Sequence, residues 1–443
     1  MPPSPAESRR LAASRPLEHV VVLGANGTMG YGSAALFTQA VPRVTFLARS
    51  RDKAAEGLAA AIKQVRSPTV AERAEVGSYE ELDAKLASAD LVFEALTEDF
   101  ALKKQMFDRV EKSRRPDAIV ATVTSGLSIN ALVEDRGASF RRHFLGLHLF
   151  NPPNVIVGTE LIPGRDTDPA LVDFVEAFAR VRLGREIVRT HDTPAFAGNR
   201  VGFKVLNEVA QLAEKIGPVL ADRLVGPYTG RAMTPLATID LVGWDIHRAI
   251  VDNVYENTRD EAHATLELPA YMAKAIGRGV LGNKSGGGFF KREGKTRLAL
   301  DPATGGYRPV AEIRLPKLEY IERVAALHAV GRYAEGVRAF LAAEGEEAAL
   351  ARRVIAGYVS YAFHRVGEVT DAITGIDLIM ASGFNWAPPS ALVDLMGPAK
   401  AVEMIERAEL AVPAILREAA LRSRPERFFR HPQLNVGRFF VAS

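Results

Sequence analysis

The segment VVLGANGTMGYG, residues 21–32, determines the fold predicted for the first part of the chain. An apolar run ends at Gly24, and further glycines follow at Gly27 and Gly30. Glycines in a strand-to-helix turn permit the tight turn, a close approach to a pyrophosphate, and close helix–strand packing. The spacing is G-x-x-G-x-x-G, one residue longer than the common G-x-G-x-x-G. The alternative is a glycine turn that binds nothing. We expect the phosphates of a dinucleotide to bind at Gly24, Gly27, Thr28, Met29 and Gly30.

Short apolar strands alternate with helical segments from residue 19 to about residue 160, a pattern typical of an open parallel α/β sheet. The predicted strands are HVVVLG (19–24), RVTFLA (43–48), ADLVFEAL (89–96), DAIVATVT (117–124), FLGLHLF (144–150) and VIVGTELIP (155–163). We therefore predict a Rossmann-type, doubly wound parallel sheet in a dinucleotide-binding domain at residues 18–189. Residues 1–17, rich in Pro, Ser and Arg, are expected to form a flexible tail.

The strand signal disappears after about residue 190, and the rest of the chain is predicted to be helical, with a long helix signalled by Thr193-Pro194. TPLATIDLVGWD (234–245) and PPSALVDLMGPA (388–399) share Pro, Asp and Gly at a constant offset of 154 residues. GGGFF (286–290) and VGRFF (436–440) follow the two copies. The alternative is a chance similarity between amphipathic helices. We predict two tandem all-α domains, residues 190–300 and 341–443, joined by a connecting segment at residues 301–340.

The composition excludes several classes of site. The chain has no cysteine, which excludes disulfides, thiolate metal sites and a cysteine nucleophile. Its formal charge of +3 is small for 443 residues, so we expect no nucleic-acid partner. No apolar run approaches the roughly 18 residues that span a bilayer, and the N-terminus lacks the apolar region of a secretory signal. We expect a cytoplasmic protein that binds neither a membrane nor a metal.

The end of the second predicted strand distinguishes NAD from NADP. An acidic residue there accepts hydrogen bonds from the adenosine ribose of NAD and repels a 2′-phosphate. This chain has Ala48-Arg49-Ser50-Arg51 instead. Arginines at this place favour NADP, with Arg49 as a cofactor-binding residue. The alternative is that both arginines are solvated and that NAD binds with one contact missing.

The segment GLHLFNPPNVIVGTELIPG, residues 146–164, predicts an acid–base pair. His148 lies inside an apolar strand, a proline-rich turn follows, and Glu160 comes twelve residues after the histidine. A strand, a turn and a returning strand of this length bring the imidazole and the carboxylate together. A carboxylate orients the ring and fixes its tautomer, which suits a general acid–base catalyst. The alternative is a buried histidine with a purely structural role.

These motifs resemble those of the L-3-hydroxyacyl-CoA dehydrogenases, including the dehydrogenase part of the multifunctional fatty-acid β-oxidation enzymes, here without a hydratase portion. The matching motifs are GTMGYG (27–32) and GLHLFNP (146–152), and the segments 234–245 and 282–290 are similar as well. The resemblance implies His148 and Glu160 as catalytic residues, and Ser125 and Asn199 as substrate contacts. It also implies NAD as cofactor, with Glu98 and Lys103 near the nicotinamide-side ribose.

The implied activity is the interconversion of L-3-hydroxyacyl-CoA and 3-ketoacyl-CoA in fatty-acid β-oxidation or related acyl-CoA metabolism. The resemblance implies a monomer with an internal pseudo-dimer, or a homodimer, in which the second helical copy has a structural role only. The chain departs from the family at the lengthened glycine loop, at Ala48 and at Thr234. Lys63 and Arg66 are candidates for CoA contacts, and the alternative is that they belong to a solvated helix face. Two alternatives are a 3-hydroxy-acid dehydrogenase that acts on a substrate without CoA and a non-catalytic NADP(H)-binding sensor.

Overall fold

The computed structural model describes residues 4–423 and 426–440. The chain forms two compact units, Met1–Phe196 and Ala197–Ser443. The first unit extends the predicted dinucleotide-binding domain by a few residues beyond its predicted end at residue 189.

An eight-stranded sheet in the order β3-β2-β1-β4-β5-β6-β7-β8 forms the first unit. All neighbouring strands are parallel except β6 and β7, which are antiparallel. The Rossmann-type sheet predicted from the sequence is confirmed. The strands are β1 His19–Leu23, β2 Arg43–Ala48, β3 Ala74–Ser78, β4 Leu91–Glu94, β5 Ile119–Thr122, β6 Phe144–Leu149, β7 Gly158–Pro163 and β8 Glu186–Arg189.

Helices cover both faces of this sheet, so successive residues of β1 enter different cores. Val20 and Val22 pack into one buried cluster, and Val21 and Leu23 pack into the other. This double burial explains why β1 is a continuous apolar run rather than an alternating one. The helices of the first unit are α1 Pro5–Ser14, α2 Thr28–Thr38, α3 Arg51–Val65, α4 Pro68–Arg73, α5 Leu82–Leu86, α6 Phe100–Ser113, α7 Ile129–Val133, α8 Ala138–Arg142 and α9 Pro169–Arg182.

The flexible tail predicted for residues 1–17 is wrong where the structure describes it. Residues 5–14 form α1, whose N-terminus is capped by the Ser4 hydroxyl, which accepts a hydrogen bond from the Glu7 N–H at 3.3 Å. The helix packs against α9, and Ala12 and Leu17 are buried. Ser-Pro at a helix start is a capping signal that the Pro- and Arg-rich composition obscured. Residues 1–3 lie outside the described part of the chain.

The second unit contains twelve α-helices within the described ranges and a small antiparallel sheet. The absence of strands predicted after residue 190 is therefore wrong, because β9, β10 and β11 form a three-stranded sheet. The strands are β9 Phe290–Glu293, β10 Thr296–Leu300 and β11 Tyr307–Pro309. The helices are α10 Gly198–Ile216, α11 Pro218–Leu224, α12 Pro235–Val242, α13 Trp244–Asn257, α14 Ala270–Ile276, α15 Glu319–Ala329, α16 Tyr333–Leu341, α17 Glu346–His364, α18 Ile373–Ser382, α19 Pro389–Met396, α20 Pro398–Arg407 and α21 Ala414–Ala420.

Two segments differ from the sequence expectations. The long helix begins at Gly198 and not at Thr193-Pro194, because Ala195 and Phe196 adopt positive φ angles that interrupt a helix. The segment 301–340 is not a bare connection, since it contains β11, α15 and nearly all of α16.

Equivalent aspartates mark the two helical copies, α10–α14 and α17–α21. Asp240 accepts hydrogen bonds from the backbone N–H groups of Phe289 and Phe290 at 2.8 and 2.9 Å. Asp394 accepts the same pair of bonds from Phe428 and Phe429 at 3.0 and 3.1 Å. The counterpart of GGGFF is therefore the Phe428-Phe429 segment, and the predicted equivalence with VGRFF (436–440) is wrong. The long helices of the two copies, α10 and α17, pack against each other.

Candidate active site

The glycine loop connects β1 to α2 at the place where the strand order of the sheet reverses. β1 lies between β2 and β4, and both neighbours are parallel to it. In open parallel sheets the crevice for a ligand lies beyond the carboxyl ends of the strands at such a reversal. The loop is therefore placed where this fold class binds dinucleotides.

Two of the loop glycines are required by the backbone itself. Gly24 has φ +78°, and a Cβ built on it would lie 2.4 Å from the Ala95 carbonyl oxygen. A Cβ on Gly30 would lie 2.1 Å from the Gly24 carbonyl oxygen. A Cβ on Gly27 meets the same oxygen at an ordinary 3.5 Å, and its N–H donates to that oxygen at 3.0 Å. Gly27 therefore shapes the turn through its backbone, and only Gly24 and Gly30 exclude a side chain.

The N-terminus of α2 is open toward a ligand. Gly27 is the N-cap residue, and within the described residues no side chain caps this helix end. The first N–H groups of a helix, here those of Thr28, Met29 and Gly30, have no partner inside the helix, and they favour an anionic group. An uncapped helix start beside glycines that leave no space for side chains fits the pyrophosphate of a dinucleotide.

Tyr79 contacts this loop and was not singled out by the sequence. Its phenolic oxygen accepts a hydrogen bond from the Gly24 N–H at 3.0 Å. Burial raises the pKa of Tyr79 to about 12, so the hydroxyl stays protonated and fixes the start of the loop. No local motif indicates this role, because Tyr79 follows β3, a strand that the sequence pattern did not reveal.

The two arginines after β2 have different surroundings. Ala48 is fully buried at the end of the strand. Arg51 forms an ion pair with Glu81, with Nη2 and Oε1 2.5 Å apart. Arg49 is exposed and has no hydrogen bond or ion pair to any described residue. Of the two, only Arg49 is available to a ligand without breaking an existing ion pair.

A buried lysine joins two glutamates near the ends of β4 and β5. Nζ of Lys103 lies 2.7 Å from Oε1 of Glu94 and 3.3 Å from Oε2 of Glu98, and the lysine side chain is fully buried. Oε1 of Glu98 accepts hydrogen bonds from the Thr124 hydroxyl at 2.5 Å and from the Ser125 N–H at 2.8 Å. Lys103 therefore positions Glu98, and Glu98 positions the backbone of Ser125.

Glu94 is a second residue that sequence reasoning missed. Its side chain has no exposed surface, and besides Lys103 it accepts hydrogen bonds from the Leu96 N–H and the Thr122 hydroxyl at 2.6 and 2.5 Å. A glutamate inside the apolar segment ADLVFEAL was the available signal, because carboxylates are seldom fully buried without partners.

His148 and Glu160 form a buried pair on neighbouring strands. They are directly opposite in the antiparallel register of β6 and β7, and Nδ1 of His148 lies 2.6 Å from Oε2 of Glu160. The histidine is 4 % exposed and the glutamate has no exposed surface. An ionised carboxylate only accepts hydrogen bonds, so the proton of this bond is on Nδ1 and a neutral imidazole has a free lone pair on Nε2.

The remaining surroundings of His148 are aromatic. The centroid of its ring lies 4.8 Å from that of Phe150 and 5.8 Å from that of Phe196. Within the described part of the chain, Nε2 has no hydrogen-bond partner. The histidine therefore has one nitrogen fixed by Glu160 and one nitrogen available for proton transfer.

Strand register brings the site residues of the first unit to one edge of the sheet. Ser125 follows β5, and His148 lies near the carboxyl end of β6, which is parallel to β5. The glycine loop follows β1 at the same edge. Asn199 belongs to the second unit, where it lies in the first turn of α10 and is 5 % exposed. Lys63 and Arg66, the loose CoA candidates, are exposed at the end of α3.

Residues 4–423 and 426–440 lack two further kinds of feature. No group of three or more His, Cys, Asp or Glu side chains is arranged to hold a metal ion. None of the helices combines the length and the apolar character needed to cross a membrane.

Two family models match most of the chain. The model described as "3-hydroxyacyl-CoA dehydrogenase, NAD binding domain" matches residues 19–193. The model described as "3-hydroxyacyl-CoA dehydrogenase, C-terminal domain" matches residues 196–292. The first match contains the glycine loop and the His148–Glu160 pair, and it indicates a nicotinamide cofactor.

Individual proteins are similar in sequence to long stretches of this chain. A probable 3-hydroxyacyl-CoA dehydrogenase of Bacillus subtilis is 32% identical over 348 residues, which are 77% of this chain and 43% of that protein. A 3-hydroxybutyryl-CoA dehydrogenase of Bradyrhizobium diazoefficiens is 31% identical over 63% of this chain and 96% of that protein. The chain thus spans less than half the length of the Bacillus relative.

The crystal structure of 3-hydroxybutyryl-CoA dehydrogenase from Escherichia coli K12 has the same fold. It covers 92% of this chain and 99% of its own, with a TM-score of 0.69 and 21% sequence identity.

Proposed function

The chain belongs to the 3-hydroxyacyl-CoA dehydrogenase family, and from this membership we propose that it interconverts L-3-hydroxyacyl-CoA and 3-ketoacyl-CoA thioesters with a nicotinamide cofactor. The observation that carries the proposal is the buried His148–Glu160 pair, 2.6 Å apart, at the sheet edge where the glycine loop lies. Its place in metabolism is fatty-acid oxidation or related acyl-CoA metabolism.

The protein's own groups account for binding and proton transfer. A bound nicotinamide dinucleotide supplies the hydride chemistry, and Gly24 to Gly30 with the open start of α2 would hold its pyrophosphate. During oxidation, Nε2 of His148 accepts the proton of the 3-hydroxyl group. Glu160 keeps the imidazole in the required tautomer and stabilises the imidazolium that forms.

The 3-oxygen of the substrate needs polar contacts that strengthen as its charge develops. Ser125 and Asn199 are the proposed contacts. Glu98 and Lys103 are proposed to lie near the nicotinamide-side ribose. In this structure they also have a positioning role, because Glu98 accepts the Ser125 N–H and Lys103 fixes Glu98.

The test is a steady-state assay of His148→Ala with acetoacetyl-CoA, and with acetoacetate as the substrate without CoA. We expect kcat to fall by about a hundredfold or more, because a positioned general acid–base contributes roughly that factor. The affinity for the dinucleotide should not change. His143→Ala is the matched control, since the His143 imidazole lies before β6 and, among the described residues, hydrogen-bonds only to the Ser139 carbonyl. Near-normal turnover in His148→Ala would refute the proposed base, and a preference for acetoacetate would refute the CoA substrate.

We infer in addition that the cofactor site accepts a 2′-phosphate, as in NADP(H). Arg49 is exposed and unpaired among the described residues, and the family's usual acidic residue is Ala48. A guanidinium binds a phosphate through charge-assisted hydrogen bonds. Arg51, the second arginine of the sequence prediction, is already paired with Glu81 and is not part of this proposal.

The cofactor assay compares kcat/KM for NADPH and for NADH in Arg49→Ala. We expect kcat/KM with NADPH to fall about tenfold, since one lost charged contact costs roughly 1.5 kcal/mol, and the value with NADH to change little. Arg51→Ala is the control for the loss of one nearby positive charge. An unchanged ratio of the two cofactors in Arg49→Ala would contradict the inference.

A further inference from the structure

A cavity of about 610 Å³ lies within the second unit, between α16, α17, α19 and α20. This volume falls within the range of roughly 300–1,000 Å³ that is usual for small-molecule sites. All its lining residues lie between positions 338 and 408, so it contains none of the residues proposed for catalysis or for cofactor binding.

Positive charge dominates the wall of this cavity. Five basic side chains line it against a single carboxylate, Glu403. Lys400 and Arg407 both pair with that glutamate at 2.6 Å. The three other basic residues have no carboxylate within 4.0 Å among the residues described. The five basic residues are Arg338, Arg352, Arg353, Lys400 and Arg407.

The fold holds two of these arginines in place through backbone carbonyl groups. Arg352 donates to the Phe340 and Ala343 carbonyl oxygens at 3.3 and 2.5 Å, and Arg353 donates to the Ala408 carbonyl oxygen. Burial lowers the pKa of the Arg352 guanidinium, and the positive charge of Arg407 acts in the same direction. These contacts orient the guanidinium groups without neutralising them, so an anion in the cavity would offset their repulsion.

Apolar side chains form the rest of the lining. Leu341 contributes from α16, Met396 from α19 and Met404 from α20. Methionine is flexible and adapts to aliphatic ligands of different shape. The cavity therefore combines cationic groups with a surface that accepts an aliphatic chain.

The first helical copy shows that the fold does not require these charges. At the offset of 154 residues that relates the copies, Lys400 corresponds to Ile246 and Arg407 to Asn253. The corresponding helix of the first copy, α13, thus forms with uncharged residues at both positions. Basic residues at these two positions occur in the second copy alone.

We propose that this cavity binds the CoA thioester of a long-chain acid, with the phosphates of CoA on the arginines and the acyl chain on the apolar side chains. A free fatty acid offers only one carboxylate to the excess of positive charge, whereas CoA carries several phosphate charges. The choice of CoA rests on the proposed function. The preference of the cavity for an anion with an aliphatic chain does not, because it follows from the charge and the apolar lining alone.

The experiment is a calorimetric titration with hexadecanoyl-CoA, which has no 3-oxygen and is not turned over. We expect two binding events in the native protein, one at the catalytic site and one in the cavity. The double variant Arg338→Glu/Lys400→Glu should weaken one event at least about tenfold, because each charged contact to a phosphate contributes roughly that factor. Ala349→Trp, which fills the cavity without changing its charge, should do the same.

Lys317→Glu/Arg323→Glu is the matched control, because both residues are exposed and lie outside the cavity, and the charge change is equal. Circular dichroism checks that each variant is folded. A titration in which the cavity variants keep both events would overturn the proposal, as would tight binding of phosphatidylglycerol vesicles with no second hexadecanoyl-CoA event.

The stoichiometry separates this proposal from the proposed function. A single event that survives in the cavity variants would overturn the cavity proposal and leave the catalytic site intact. A single event that the cavity variants abolish would support the cavity and count against the proposed substrate of the catalytic site.

Discussion

We expect Asp377 to make the stability of the second unit depend on pH, and Asp377→Asn should remove the part of that dependence that this carboxyl contributes. The side chain is fully buried in α18, and its two oxygens accept hydrogen bonds from the N–H and the hydroxyl of Ser390 at 3.0 and 2.5 Å. Burial raises the pKa of Asp377 from 3.8 to about 7 despite these bonds. An asparagine retains both contacts, because its carbonyl accepts the N–H and its amide donates to the hydroxyl.

The sign and size of the effect follow from this pKa. A raised pKa means that the folded state keeps the proton longer than the unfolded state. The stability connected with this proton is complete below pH 3.8 and is lost as the pH rises toward 7. About 3 pKa units correspond to about 4 kcal/mol of unfolding free energy. The unfolding free energy of Asp377→Asn, relative to that of the native protein at the same pH, should therefore rise by about 4 kcal/mol from pH 4 to pH 8.

Tryptophan fluorescence during urea unfolding measures the unfolding free energy of the second unit. The chain has two tryptophans, Trp244 and Trp386, and both belong to the second unit. Asp222→Asn is the matched variant in the first copy. Asp222 accepts corresponding bonds from Leu236 and Thr234, and burial raises its pKa to about 6, so its gain should be smaller, about 3 kcal/mol. A variant Asp377→Asn whose advantage stays constant or shrinks with rising pH would refute the reasoning.

Three further predictions concern the first unit. Glu160→Gln should lower kcat by about a hundredfold or more with unchanged dinucleotide affinity in a binding titration, because the amide no longer stabilises the His148 imidazolium; equal losses in kcat and affinity would contradict this role. Gly30→Ala should weaken dinucleotide binding more than Gly27→Ala does, because a Cβ on Gly30 would lie 2.1 Å from the Gly24 carbonyl oxygen, whereas a Cβ on Gly27 meets that oxygen at 3.5 Å; equal affinities of the two variants would contradict the loop geometry. Lys103→Met should destabilise the first unit by about 3 kcal/mol or more in chemical unfolding, because Glu94 keeps a buried charge, and Glu94→Gln in the same chain should restore part of the loss.

The sequence predicted the central strands and the contact between His148 and Glu160 because both depend on local patterns. β1, β2, β4, β5 and β6 are apolar runs buried on both faces, and such runs are visible without tertiary information. The twelve-residue spacing of His148 and Glu160 corresponds to adjacent antiparallel strands and places the two residues in one register pair.

Three of the five missed strands, β3, β9 and β11, lie where the apolar pattern is weak. β3 is an edge strand with the sequence AEVGS, and three of its five residues are only half-buried. β9 and β11 are short, contain charged residues and have no fully buried positions. Edge strands face solvent and need little hydrophobicity, so period and composition do not reveal them.

Long-range pairing was the other source of error. The ion pair that removes Arg51 from the cofactor proposal involves Glu81, thirty residues later. The phenylalanines of VGRFF resemble those of GGGFF in sequence but do not occupy the equivalent place in the structure. Phe440 packs against His328, while Asp394 accepts its bonds from Phe428 and Phe429. In both cases the deciding partner is remote in sequence.

The packing of α10 against α17 has a consequence for how this protein changes over generations. Two identical subunits that meet across a symmetry axis receive every mutation twice, so a residue that helps one side and harms the other is not retained. Here the two helical copies are separate segments of one chain. Each can therefore mutate independently, and dilution cannot separate them. One copy therefore has Asn199 in the first turn of its long helix. The other has Lys400 and Arg407 where the first has Ile246 and Asn253, and that charge is not repeated in its neighbour.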